Sequence, residues 1–214
     1  MVLICEDDNV ERIARNNLIW APDDDYPSGG IFVSVGAPTV DGVTARLYAN
    51  SIRVSGIAGT SNAAVLWDVK SGATNTSLHS RNNIISSDFF ADDPVKAFKL
   101  NDASGVASVD FDYDVSCDGS ADDNGGANHL IGVDEDDIWA NADSLTKPFA
   151  PKLGGEITPA EGDNLYSSGV TVDALGRARP DAAQYRGAVR YVPFVSAAAP
   201  APSTGSAVRR RRMA

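Results

Sequence analysis

The feature that most constrains the fold of this chain is a repeat of about thirty residues centred on asparagine. Three segments align without gaps around their anchor residues, which are Asn16, Asn50 and Asn82. Successive anchors lie 34 and 32 residues apart, and a degenerate fourth copy is centred on Asp112. A second apolar strand follows in the same phase, because Ile31 and Val65 each lie 15 residues after an anchor. Each unit therefore consists of two short strands separated by turns.

A unit with two short strands cannot bury its apolar face alone, so the copies must stack on one another. Stacking predicts a parallel β-helix, in which each strand pairs with its equivalent one coil further along. The anchor asparagines would then form a ladder of side-chain hydrogen bonds. We expect about four to six coils over residues 1–194 as a single domain, followed by an extended tail over residues 195–214. A β-sandwich is the alternative, but it does not explain the phase of the asparagines.

The composition agrees with an all-β class and excludes several kinds of site. Glycine is frequent (19 residues) while lysine and glutamate are scarce, which favours strands and tight turns over long helices. The net charge of −11 argues against nucleic acid as a partner, since phosphate binding requires a basic surface. Two cysteines and two histidines supply few ligands for a zinc site or a histidine-based centre, so no metal, cofactor or catalytic residue is predicted.

The N-terminal residues 1–5 are apolar, and acidic residues follow at positions 6–8. A secretory signal has a basic start and a longer apolar run, so this segment is not one. No run of residues reaches the length of a membrane span. We therefore expect a protein that is made in the cytoplasm of a host cell without a signal peptide or a transmembrane helix.

Two motifs near the C-terminus add to the Asn-Asn-x-Ile strands of the repeat. An Asp-x-x-Gly-x-x-Arg-Pro turn occupies residues 173–180, and a Gly-Ala-x-x-Tyr strand occupies residues 187–191. In these features the chain resembles the pectin-lyase-like family of right-handed parallel β-helix proteins, and most closely the final coils of bacterial and phage surface proteins. The resemblance covers about residues 10–192 and implies a short right-handed stack. It carries over no catalytic residue, because the acidic and basic groove residues of the family's enzymes have no counterpart here.

The strand 109–115 carries the most chemical-looking pattern in the chain. Its acidic residues Asp110, Asp112 and Asp114 alternate with apolar ones, which we interpret as a solvated strand face over a packed face. An irregular calcium site in the turn 118–124 is the weaker alternative. An EF-hand is excluded, because Val115 stands where its glycine is required.

Trp20 is the candidate for an exposed platform that stacks on sugars, since it stands at a strand end just before a proline. Trp67 lies within a strand and is expected in the core. The tail ends in four consecutive arginines, which are Arg209, Arg210, Arg211 and Arg212. We expect these arginines to contact the acidic body of another copy in an assembly.

Two functions compete on these grounds. The first is a non-enzymatic structural component of a phage-like virion, such as a spike, a fibre or a capsid-decorating subunit. Its partners would be other virion subunits and further copies of itself, with a trimer favoured. The alternative is a β-helix protein that binds or cleaves a surface polysaccharide.

Overall fold

The fold is seen in a computed structural model that describes residues 1–21, 30–36, 39–54, 63–86, 96–101, 104–140, 149, 152 and 161–189. These residues form fourteen β-strands, a 3-10 helix (Asp122–Asn124) and one short α-helix, α1 (Glu135–Ile138). In chain order the strands are β1 (Val2–Cys5), β2 (Glu11–Arg15), β3 (Leu18–Ala21), β4 (Ile31–Val35), β5 (Val40–Asp41), β6 (Thr44–Tyr48), β7 (Ser51–Val54), β8 (Ala63–Val69), β9 (Ala73–Thr74), β10 (Thr76–Arg81), β11 (Ile84–Ser86), β12 (Lys96–Asn101), β13 (Val106–Asp112) and β14 (Val115–Ser116). The predicted all-β class is confirmed. Neither helix in these ranges has the length and apolar character needed to cross a membrane.

Three four-stranded parallel sheets make up the body. Sheet A contains β1, β4, β8 and β12; sheet B contains β2, β6, β10 and β13; sheet C contains β3, β7, β11 and β14. Within each sheet the spatial order is the order along the chain, so the chain adds one strand to each sheet before it returns to the first. We call one such passage a circuit, and the described strands complete four. β5 and β9 form a further parallel pair.

The register keeps equivalent residues of successive circuits in columns. Ile31 pairs with Val65, which confirms the predicted alignment of the second strand of the repeat. In sheet C, Leu18 pairs with Ser51 and Ser51 pairs with Ile84, a period of 33 residues. Because side chains alternate between the two faces of a strand, each column lies wholly inside or wholly outside the stack.

The inward columns form one apolar core. Ile52 and Ile85 are paired and buried, as are Val33 and Trp67. Trp67 has no exposed surface, and its ring centroid lies 5.1 Å from that of Phe111. Its predicted place in the core is therefore confirmed.

The stack is covered at its C-terminal end by residues 118–139, which we call the cap. Asp118 Oδ2 accepts a hydrogen bond from the backbone of Ala97 at 2.9 Å, and Ser120 Oγ accepts one from Phe98 at 2.9 Å. These side chains satisfy edge groups of β12. Leu130 does the same beside β14, since its carbonyl accepts from the Ser116 N–H at 2.9 Å. Strand edges covered in this way are unavailable for pairing with another chain.

Residues 161–189 run along the side of the stack, and we call this segment the strap. The predicted turn over 173–180 is present: the Asp173 carboxylate accepts from the backbone N–H groups of Leu175 and Arg177, both at 2.9 Å. The residue at its bend, Gly176, has a φ of 76°, which favours glycine. The strand predicted over 187–191 is not found in its described part, because residues 187–189 have no strand structure; residues 190 and 191 lie outside the described ranges.

Candidate functional site

The corner at which the chain turns from sheet B to sheet C is the most regular feature of the molecule. Its first residue has a left-handed backbone in every circuit: Asn16 (φ 56°), Ala49 (52°), Asn82 (58°) and Tyr113 (58°). Most L-residues are strained in this conformation, while asparagine tolerates it well. The left-handed geometry of the corner therefore explains the first asparagine of each Asn-Asn pair, which is Asn16 in one circuit and Asn82 in another.

A second column follows immediately and forms a hydrogen-bonded ladder of Asn17, Asn50, Asn83 and Asp114. Asn50 Oδ1 accepts from the backbone and the side-chain amide of Asn17, at 3.1 and 2.8 Å. Asn83 Oδ1 accepts from the same two groups of Asn50, at 2.9 and 2.8 Å. Asp114 Oδ1 accepts from those of Asn83, at 2.7 and 2.9 Å. The last three members of the ladder are buried.

The ladder differs by one residue from the one predicted at Asn16, Asn50 and Asn82. Asn50 belongs to it, whereas Asn16 and Asn82 occupy the preceding, left-handed position together with Ala49. The sequence alignment placed the single asparagine of the second circuit over the wrong member of each Asn-Asn pair. Both positions suit asparagine, but for different physical reasons.

Asn16 and Asn82 use their side chains to hold the strap. The Asn16 amide donates to the carbonyl of Val172 at 2.8 Å. The Asn82 amide donates to the carbonyl of Asp163 at 2.9 Å, and Asn82 Oδ1 accepts from the Asp163 N–H at 2.8 Å. Between them, Ala49 packs with apolar strap residues in a small buried cluster. This cluster consists of Tyr48, Ala49, Leu165 and Val170.

The outer face of sheet B carries a network of charged side chains. Arg81 donates through Nε and Nη2 to the two oxygens of Asp110 and through its third nitrogen, Nη1, to Asp163 Oδ2 at 2.5 Å. His79 Nδ1 lies 3.1 Å from Asp110 Oδ2. One circuit earlier, Arg46 donates to Glu11 at 2.5 Å. These residues are the geometric candidate for a polar binding surface.

The charged side chains of this face form a network of ion pairs. Burial alone would raise the pKa of Asp110, but the hydrogen bonds from Arg81 and His79 outweigh it and hold that pKa below its usual value. Burial would raise the pKa of Asp112 as well, but the hydrogen bonds that its carboxylate accepts from the side chain and backbone of Asn128 and from the Tyr113 N–H together outweigh burial and lower that pKa. Both carboxylates are therefore ionised near neutral pH and already paired with donors. Such groups serve poorly as general acids.

The predicted solvated face of Asp110, Asp112 and Asp114 is correct for the first two residues only. Asp114 is buried, with 1% of its surface exposed. The left-handed backbone at Tyr113 ends the alternation of β13 and turns Asp114 inward, onto the ladder.

The acidic turn predicted as a weak calcium site has other contacts. Asp118 binds backbone and side-chain groups of the cap and of β12, and Asp123 forms an ion pair with Lys96 at 2.5 Å. Within the described ranges, no group of three or more histidine, cysteine, aspartate or glutamate side chains is arranged to hold a metal ion.

Trp20 is half-buried on the outer side of sheet C, where it is in register with Arg53. In the following circuits this face is covered by α1. The Arg53 guanidinium binds both oxygens of Glu135, at 2.5 and 3.1 Å, and Trp139 Nε1 donates to Ser86 at 2.9 Å. The arginines at 209–212 lie outside the described residues.

The first circuit ends the stack opposite the cap, and we call it the open end. Each of its three strands has a partner on one side only among the described strands. Its large apolar side chains are unusually exposed, with Val2 at 58% and Ile4 at 50%. The further members of this exposed group are Met1, Ile13 and Leu18. Unpaired strand edges beside apolar side chains are a site at which another chain can add.

Comparisons with known proteins return nothing for this chain: no family model, no curated protein and no solved structure matches it.

Proposed function

We propose that this chain is a short right-handed parallel β-helix that serves as a non-enzymatic structural subunit of a phage-like particle, such as a spike, a fibre or a capsid-decorating protein. The fold part of the proposal rests on the three parallel sheets, whose strands follow one another in chain order. The right hand rests on the general handedness of crossovers between parallel strands of one sheet.

The observation that carries the functional part is the contrast between the two ends of the stack. The cap covers strand edges at one end, whereas the open end has strand edges without a partner among the described strands and apolar side chains that are exposed. Exposed apolar groups of this kind mark interaction sites in stable proteins. We propose other subunits of the particle as the partners, and a homotrimer as the favoured assembly.

The test is the mass of the full chain in solution, measured by light scattering coupled to size exclusion at micromolar concentration. We expect an oligomer, and we expect Ile4→Lys to shift it towards the monomer. Ile131→Lys is the matched control, because Ile131 is 47% exposed on the cap, at the opposite end of the stack. A monomeric wild type, or equal effects of the two substitutions, would contradict the proposed role of the open end.

The arginines at 209–212 give a second arm to this experiment. Replacing all four with alanine should weaken the assembly and make its remaining stability less sensitive to salt, since charge contacts with an acidic body are screened by ions. If the tail variant assembles as strongly as the wild type, the tail arginines do not contribute to assembly, and only the open end remains as the proposed contact surface.

A surface-polysaccharide-binding or -cleaving protein is the second candidate, and the polar face of sheet B favours it. Arg46, Arg81 and His79 lie there beside carboxylates and the Tyr48 hydroxyl, groups that can form hydrogen bonds to sugars. Trp20 adds a half-buried aromatic ring at the edge of sheet C. Binding of a polysaccharide that is lost in Arg46→Ala and Trp20→Ala, without a change in assembly, would favour this candidate.

A further inference from the structure

The last rung of the ladder is an aspartate, Asp114, whereas the three rungs before it are asparagines. The two side chains differ at one position, where aspartate has an oxygen and asparagine has its amide nitrogen. In Asn50, Oδ1 accepts from the preceding rung, while Nδ2 donates to Asn83 Oδ1 and to the carbonyl of Ala14 at 3.0 Å. In Asn83, Nδ2 donates in the same way to Asp114 Oδ1 and to the carbonyl of Leu47 at 2.9 Å. Each interior rung thus needs an acceptor and a donor.

Asp114 supplies the acceptor but, when ionised, no donor. Its Oδ1 repeats the contacts of the asparagine oxygens, so Oδ2 takes the place of the amide nitrogen. The carbonyl that this nitrogen faces in earlier circuits belongs to Ala14 and Leu47, and Ser80 is their equivalent in register. Oδ2 is buried and has no hydrogen-bond partner, as expected for an oxygen that faces another acceptor.

We propose that Asp114 is a proton-binding site, in which a proton on Oδ2 completes the ladder by donating to the carbonyl of Ser80 and thereby fastens the cap to the stack. A protonated carboxyl group has the same shape and the same donor and acceptor pattern as the carboxamide of asparagine at this position. Ionisation removes the donor and leaves a buried charge facing a carbonyl oxygen, which is unfavourable.

The cap is coupled to Asp114 through its backbone. The Asp114 N–H donates to His129 Nδ1 at 3.2 Å, and the Leu130 N–H donates to the Asp114 carbonyl at 3.0 Å. Leu130 then bonds to Ser116 in the next strand. A shift of Asp114 therefore moves the segment of the cap that covers β14.

Three elements packed around Asp114 contribute a charged or titratable group: the cap, the strap and β13. His129 comes from the cap, and its Nδ1 accepts while Nε2 donates to the Gly125 carbonyl at 2.8 Å, the pattern of a neutral imidazole. Arg186 comes from the strap and donates to the Asn128 carbonyl at 2.9 Å. Asp112 is the last residue of β13, two positions before Asp114. The facing residues of β10 and β11, Ser80 and Asn83, carry no charge.

Burial is the dominant influence on this carboxyl group. It raises the pKa of Asp114 to about 6, although the nearby Ser80 hydroxyl, the Asn83 N–H groups and His129 favour the ionised form. The folded protein therefore binds this proton more tightly than the unfolded chain, whose aspartates have their ordinary pKa of about 4. The resulting stabilisation is complete below that ordinary value and is lost as the pH rises through about 6.

The experiment compares urea unfolding midpoints of the wild type and Asp114→Asn between pH 5 and pH 8. We expect the wild-type midpoint to fall across this range relative to the variant, and the variant to be the more stable protein at pH 8. Contributions from groups that the substitution does not affect cancel in the difference between the two proteins, which leaves the contribution of Asp114. The matched control is Asp112→Asn, which removes a carboxylate two positions away, at the end of β13. Its unfolding midpoint should fall between pH 5 and pH 8 as that of the wild type does.

A second measurement does not depend on any variant. The ¹³C shift of the Asp114 carboxyl group in the wild type should titrate with a midpoint near 6, and exchange protection of the Leu130 amide should fall as the group ionises. A midpoint at the ordinary aspartate value, or a variant that is less stable than the wild type at pH 8, would overturn the proposal.

Discussion

Replacing Asn50 with alanine should be among the most damaging single substitutions in the chain. The Asn50 side chain is fully buried in the centre of the ladder. Without it, the backbone N–H of Asn17 and the carbonyl of Ala14 each lose a partner. An unsatisfied buried backbone group costs about 1–3 kcal/mol, so we expect Asn50→Ala to lower the free energy of unfolding by about 3 kcal/mol, after allowance for the partial exposure of Asn17.

Urea unfolding followed by far-ultraviolet circular dichroism measures this loss. Asn16→Ala is the control, because it removes an asparagine of the same sequence motif from the left-handed position. It should cost only about 1 kcal/mol, from an exposed hydrogen bond to the Val172 carbonyl, a long one of 3.5 Å from Arg179, and the strain of alanine at positive φ. Equal losses in the two variants would refute the distinction between corner and ladder, and a loss below 1 kcal/mol for Asn50→Ala would refute the energetic role of the ladder.

Three further results are expected. Arg53→Gln should lower the free energy of unfolding by about 3 kcal/mol, because it leaves the largely buried Glu135 carboxylate without its ion-pair partner. Urea unfolding of the double variant, Arg53→Gln with Glu135→Gln, should show that part of this loss is recovered. Asp110 contributes stability above its ordinary pKa that is lost as the pH falls through its lowered value, since Arg81 holds its ionised form; Asp110→Asn should reduce the acid sensitivity of the unfolding midpoint between pH 2 and pH 5. Burial raises the pKa of Cys5, so this thiol should react with a thiol reagent at pH 8 only when urea unfolds the protein.

The repeat could be predicted from the sequence because equivalent strand residues recur at the same distance from each anchor asparagine. Ile31 and Val65 stand at equal distances from their asparagines, and parallel pairing preserves such distances. The exact rung could not be predicted in the same way. Two adjacent positions accept asparagine, one for its tolerance of positive φ and one for its amide, and the alanine at position 49 removes the sequence signal for the first.

The position of Asp114 was missed for a related reason. Alternation of side chains along a strand holds only while the backbone stays extended, and the left-handed residue at Tyr113 ends it. Nothing in the sequence marks a tyrosine as a residue with positive φ. Only its place in register with Asn82 and Ala49 reveals the corner.

The position of the strap was the feature least accessible to prediction from the sequence. Its hydrogen bonds to the stack join residues far apart in the sequence, such as Asn82 with Asp163, 81 positions apart, and Asn16 with Val172, 156 positions apart. They are formed largely by single side chains and backbone groups, which leave no periodic pattern. The turn at 173–180 could be recognised, but not the surface on which it would lie.

The strap also has a consequence for the order in which the molecule can be completed during translation. Residues 161–189 leave the ribosome after every strand of the stack, yet they cover Tyr48 and Ala49 and satisfy side chains of the first circuit. A nascent chain that has just finished β14 therefore carries an uncovered apolar corner and unsatisfied asparagines. Premature termination between positions 117 and 160 would produce a stack in that unfinished condition, prone to aggregate although all its strands are present.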